Sequence, residues 1–181
     1  MADLARTFVS FSSADIGRYR MMTAWKAHPH IPFNFADFQL DESINSKTPY
    51  YIKSVCAAKI RRADTFVLLI GNDTYTKTVF VKDEVEVAIE KGCRLIGANL
   101  NDSRFKNVWC PDFFANEGAV FVPFSSRILA KALLSARQAD RDWHYEDAHY
   151  TSLGYQLTGK TAVLPDAPSP FSGGNTPSWA K

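Results

Sequence analysis

The run Phe66-Val67-Leu68-Leu69-Ile70-Gly71-Asn72-Asp73-Thr74-Tyr75-Thr76-Lys77, continued by Phe80-Val81-Lys82-Asp83-Glu84-Val85-Glu86-Val87-Ala88-Ile89-Glu90-Lys91-Gly92, passes from one hydrophobic pattern to another. Its first five residues are all apolar, as expected of a central parallel strand covered on both faces. A polar loop follows. From Phe80 onward the apolar positions Val81, Val85, Ala88 and Ile89 recur at helical spacing. Glu84 falls on that same stripe, because residues three and four apart share a helix face. A carboxylate there is drawn out of water beside the carboxyl end of a buried strand, where open α/β sheets bind ligands. Two readings stay open at this point. The desolvated acid belongs to a functional site, or Asp83, Glu84 and Glu86 simply complement the positive end of the helix.

The flanking sequence repeats the alternation. Residues 7–11 (Thr-Phe-Val-Ser-Phe) are rich in strand formers. Ser12-Ser13-Ala14-Asp15 reads as a helix start, a hydroxyl cap with an acid three residues on. That helix carries Tyr19, Met22 and Trp25 and stops at His28-Pro29-His30-Ile31-Pro32. Phe33-Asn34-Phe35 is expected as an edge strand. Thr48-Pro49 starts a second helix with Ile52, Val55, Cys56 and Ile60 on one face. Residues 94–100 and 119–122 complete five strands, and Ser125-Ser126 caps a last helix through Ile128, Leu129, Ala132, Leu133 and Ala136. Strand–helix alternation implies a flavodoxin-like α/β fold, a five-stranded parallel sheet with helices on both faces. It occupies residues 1–139. Residues 140–181 form an extension, aromatic at first and then rich in Gly, Pro and Ser.

Bulk properties narrow the function. The net charge of +2 makes no case for nucleic acid or an anionic membrane. No apolar run approaches the roughly 20 residues of a membrane span, and the start lacks the apolar region of a signal peptide. The three cysteines, Cys56, Cys93 and Cys110, show no CxxC spacing. Cys56, on a helical apolar face, reads as a buried free thiol, and the expected location is cytoplasmic. Gly154-Tyr155-Gln156-Leu157-Thr158-Gly159-Lys160-Thr161 fits the phosphate-loop pattern, but it lacks the strand before it and meets Pro165 and Pro168 after it. Neither His28 with His30 nor His144 with His149 has the one-turn spacing of a shared metal, so no metal is expected. There is no GxSxG elbow. Ser10-Phe11-Ser12-Ser13 and Ile70-Gly71 lack the acids of a response regulator.

Phe8-Val9-Ser10-Phe11-Ser12-Ser13-Ala14-Asp15 resembles the opening motif of Toll/interleukin-1 receptor (TIR) domains. Val67-Leu68-Leu69-Ile70-Gly71, Thr74 and the 80–92 segment resemble the stretch holding that family's catalytic glutamate. Over residues 6–137 the chain is similar to bacterial TIR-like proteins of the kind that serve as the ThsB sensor in Thoeris anti-phage defence. The resemblance implies the flavodoxin-like fold and cleavage of the nicotinamide–ribose bond of NAD, a substrate and not a cofactor. It implies Glu84 as the catalytic residue, holding ribose hydroxyls and stabilising positive charge. It places substrate contacts at Phe11, Ser12 and Asp15 after the first strand, and at Thr74, Tyr75 and Phe80 before the glutamate. Phe11 would stack on a ring and Ser12 would donate a hydrogen bond, while Asp15 is expected to cap its helix. Phe80 stands where relatives usually carry tryptophan. Implied further are self-association, a cyclic or conjugated ADP-ribose signal acting on a downstream effector, and a phage protein as trigger. The alternatives are a non-catalytic adaptor and an NAD-depleting toxin.

Overall fold

The computed structural model describes residues 5–37 and 48–157. Strand β3 (Thr65–Ile70) is buried along its whole length, as its unbroken apolar run requires. It lies in the middle of a five-stranded sheet, between β1 (Arg6–Ser10) and β4 (Arg94–Asn99). Strands β2 (Ala36–Asp37) and β5 (Val120–Pro123) form the edges, giving the order β2-β1-β3-β4-β5 with every pairing parallel. The chain steps from β1 outward to β2 and then back across to β3. The carboxyl ends of β1 and β3 therefore flank the switch point of the sheet, the position at which doubly wound folds open a crevice.

Strand side chains alternate between two hydrophobic layers. Val9, Val67, Leu69, Ile96, Ala98, Val120 and Val122 pack with Met22 of α1 (Ile16–Ala27) and with Leu129 and Leu133 of α4 (Ser126–Ser135). Phe8, Phe66, Leu68, Ile70, Leu95 and Phe121 pack with Cys56 and Ile60 of α2 (Pro49–Ile60) and with Val81, Val85 and Ala88 of α3 (Phe80–Lys91). Helices thus cover both faces, and the α/β fold expected from the periodicity is present.

Local signals explain most boundaries. The Thr48 hydroxyl accepts from the Tyr51 amide, with proline at the first helical position of α2. Helix α3 ends at Gly92, whose φ of 74° places it in the left-handed region that glycine enters without penalty. Two local expectations need correction. The edge strand lies at Ala36–Asp37 and not at residues 33–35, because Phe33 and Phe35 turn both rings into the α1 layer and leave the next residues to pair with β1. Ser125 occupies the cap position of α4 but makes no side-chain cap bond.

The core continues beyond residue 139. The Asp142 carboxylate accepts from the amides of Asn116, Gly118 and Ala119, at 2.7, 3.1 and 3.1 Å. The Trp143 amide then donates to Ala119 O, and Trp143 bridges Val120 in parallel beside the β5 edge. Tyr150, on the short helix α5 (Asp147–Ser152), is fully buried, and its hydroxyl donates to Phe121 O. The aromatic part of the extension that the structure describes therefore packs on the domain. Gly154, the first residue of the phosphate-loop look-alike, follows this helix and not a strand, while Thr158 to Thr161 lie outside the described residues. Trp179 lies outside them as well.

Candidate functional site

Strand β1 ends on Ser10, which shares its sheet face with Phe8 and so points toward α3. On that helix Glu84 lies between the buried Val81 and Val85. The Ser10 hydroxyl donates to Glu84 Oε2 at 2.6 Å. The Cys56 thiol of α2 lies beside the same carboxylate, close enough to act on its ionisation. Ser10 is 1% exposed and Cys56 6%, so both donors are walled off from water.

Glu84 as a whole keeps some surface toward solvent, but its carboxyl group is crowded by protein. That desolvation pushes its pKa up from 4.5 to about 7. The Ser10 bond and the adjacent Cys56 thiol favour the anion and pull the other way, while the neighbouring Asp83 charge raises it further. The Cys56 thiol is itself pushed up to about 12, first by burial and then by the Glu84 charge, so it stays protonated and remains a donor.

A groove of about 490 Å³ runs between α2 and α3, with Glu84 and Cys56 in its lining. Tyr50 and Phe80 also line it and are 82% and 41% exposed. Lys53 of α2 pairs with Asp83 of α3, and its ammonium sits 5.8 Å from the centre of the Phe80 ring. Lys53, Arg61, Asp83, Glu86 and Glu90 give the remaining lining both signs of charge.

Of the residues singled out from the sequence, Glu84 and Phe80 meet in this groove. Phe11, Ser12, Asp15, Thr74 and Tyr75 do not line it among the described residues. Phe11 has the opposite parity to Ser10 and stacks on Tyr19 of α1, at 4.9 Å between ring centres. Ser12 donates to Asp73 Oδ2 at 2.8 Å, which ties the loops after β1 and β3 together. Thr74 is fully buried, its hydroxyl accepting from the Gly71 amide and donating to Leu69 O, so it braces the turn. Tyr75 is exposed.

The expected helix cap at Asp15 is not formed. Asp15 has φ −96° and ψ 9°, not the extended backbone that turns a capping carboxylate back onto the first amides. Ser12 caps the preceding 3-10 turn instead. Asp15 Oδ2 is buried without a partner, and its pKa is raised by burial and then by the nearby Asp73 charge. Asp73 itself is held low, chiefly by its bond with Lys77.

Sequence reasoning did not single out Ser10 and Cys56 as partners of Glu84. Strand parity placed Ser10 on the side of Phe8, and helical spacing placed Cys56 on a buried face. Neither signal says which helix lies opposite.

Residues 8–104 match the family described as Thoeris protein ThsB, TIR-like domain. A solved structure, the CMP N-glycosidase BcmB of Clostridium botulinum, is similar over 70% of this chain and 96% of that chain, with 10% identity and a TM-score of 0.42. No curated protein sequence matches the chain. No helix among the described residues is long and apolar enough to cross a membrane. The matched segment covers more than half of the 181 residues and carries Ser10, Cys56 and Glu84 together. The chain belongs to the ThsB family of TIR-like domains.

Proposed function

We propose that the protein cleaves the nicotinamide–ribose bond of NAD, with Glu84 as the catalytic residue. One observation carries this reading. A carboxylate at the switch point of the sheet is desolvated, held by the Ser10 hydroxyl beside the Cys56 thiol, and set in the lining of an open groove. An acid that only complements a helix dipole sits in solvent and needs neither donor nor groove.

The chemistry suits that environment. As the C–N bond breaks, its electron pair leaves with nicotinamide, which departs neutral. The anomeric carbon is left with oxocarbenium character. The Glu84 anion, fixed in a poorly screened site, stabilises that charge and accepts hydrogen bonds from the ribose hydroxyls. Phe80 and Tyr50 offer exposed rings at the groove for an aromatic face of the substrate. The loops after β1 and β3, with Phe11, Ser12, Asp15 and Tyr75, are assigned to the rest of the dinucleotide, and Thr74 to shaping the second of them. Water capture gives linear ADP-ribose. Capture by another nucleophile, after water is excluded by a neighbouring copy, gives a cyclic or conjugated product. In this reading the product is a diffusible signal to an effector in the cytoplasm, released after a phage protein triggers assembly.

The test is mass-resolved chromatography of protein incubated with NAD, beside Glu84→Gln, with and without conditions that promote assembly. Nicotinamide release that disappears in the variant is the expected result. Release that persists undiminished in Glu84→Gln refutes the assignment.

A further inference from the structure

The contacts of Glu84 carry a second conclusion, which rests on reading Glu84 as the reacting carboxylate. Burial alone would keep this group protonated, and a neutral acid cannot stabilise an oxocarbenium ion. A short hydrogen bond opposes that tendency, and a neutral thiol lies beside it. The Ser10 hydroxyl approaches from the sheet at 2.6 Å, and the Cys56 thiol approaches from α2. The Ser10 bond fixes the orientation of the carboxylate from the sheet, and the Cys56 thiol faces the same group from a separate element, α2.

We propose that Ser10 and Cys56 are positioning residues, a two-donor clamp that holds Glu84 as an oriented anion in the groove. Neither needs to touch the substrate. Neither can replace the other, since one is anchored in the sheet and the other in a helix.

The charged surroundings do not duplicate this role. From α2, Lys53 and Arg61 line the groove, and from α3 Asp83, Glu86 and Glu90 do. Asp83 is the charge that acts on Glu84, and it opposes ionisation. Lys53 is engaged with Asp83. The Asp15 and Asp73 carboxylates lie on the loops after β1 and β3, outside the groove lining. Stabilisation of the anion therefore comes from the hydroxyl and the thiol.

The test compares wild type with Ser10→Ala, Cys56→Val and Cys56→Ser. Two quantities are followed from pH 5 to 9: the kcat and KM of nicotinamide release, and the ¹³C chemical shift of the Glu84 carboxyl, assigned by its loss in Glu84→Gln. A hydrogen bond to a charged group contributes about 1.5–3 kcal/mol, which corresponds to about one pH unit or more. The carboxyl titration and the acidic limb of kcat should both move upward by about that much in Ser10→Ala. Cys56→Val should move them by somewhat less, since sulfur is the weaker donor. Cys56→Ser, which keeps a donor, should return both toward wild type. A titration that stays in place in Ser10→Ala and Cys56→Val overturns the clamp, even if activity falls. If wild type releases no nicotinamide, the proposed function fails, and the NMR titration alone then decides whether the clamp exists. If one variant fails to fold, the other still decides, because each removes one donor.

Discussion

Replacing Glu84 by glutamine should make the protein more stable at alkaline pH and leave it nearly unchanged at acidic pH. Folding raises the carboxyl pKa from 4.5 to about 7, a difference of about 2.5 units. At 1.36 kcal/mol per unit this corresponds to about 3 kcal/mol. The sign follows from proton binding. The folded state holds the Glu84 proton more tightly than the unfolded chain does, so its contribution is fully present below pH 4.5. It is lost as the pH rises through the window up to about 7. Above that window the native state contains a buried anion that the unfolded chain would hydrate. Glutamine has the same shape and keeps an oxygen to accept from Ser10, but it never ionises. Its amide N–H groups find poorer partners here, which costs about 1 kcal/mol. The expected gain at pH 8 is therefore about 2 kcal/mol, falling to zero or slightly below at pH 4.5. Urea unfolding of both proteins, at half-unit steps from pH 4.5 to 8.5, measures it. A stability difference that does not change with pH would show that Glu84 ionises normally in the folded protein. The desolvation on which the site rests would then be wrong.

Further outcomes test other parts of the structure. In Gly97→Ala the new methyl would lie 2.7 Å from Phe121 Cδ1 and 3.0 Å from Ile70 Cδ1, both in the core beneath α3. An overpacking loss of about 1–3 kcal/mol is expected in urea unfolding. Tyr150→Ala removes a fully buried ring and should cost about 3–5 kcal/mol. Deleting residues 140–181 should destabilise at least as much, and truncated protein with an unchanged melting temperature would contradict the packing described here. Lys53→Met removes the cation paired with Asp83 beside Glu84. The Glu84 titration should then move to higher pH, because the Asp83 charge is no longer compensated, and a titration that stays in place would mean that this pair does not act on Glu84.

Each of these features has a different standing with respect to the primary structure. The 66–92 segment announced a buried strand and an amphipathic helix because both periods are written within a few residues of one another. For the same reason the spacing placed Glu84 on the buried stripe of its helix, and Thr48-Pro49 marked a helix start. Even the free, buried state of Cys56 could be read from helical spacing. The partners of these groups could not. Ser10 and Glu84 are separated by 74 residues and meet only because β1 pairs beside β3 and α3 packs back on that face. One residue of parity sends Phe11 to Tyr19 on the opposite layer, outside the groove that Glu84 lines. Asp15 looked like a helix cap, yet the short 3-10 turn gave that role to Ser12 and left one carboxylate oxygen unpartnered. Tyr150 lay in a polar, aromatic stretch with no apolar period, and the open edge of β5 drew its segment into the core. Local periodicity determines which face of an element is buried. What that face meets depends on strand order and helix packing, which the chain settles only when distant segments compete for the same surface.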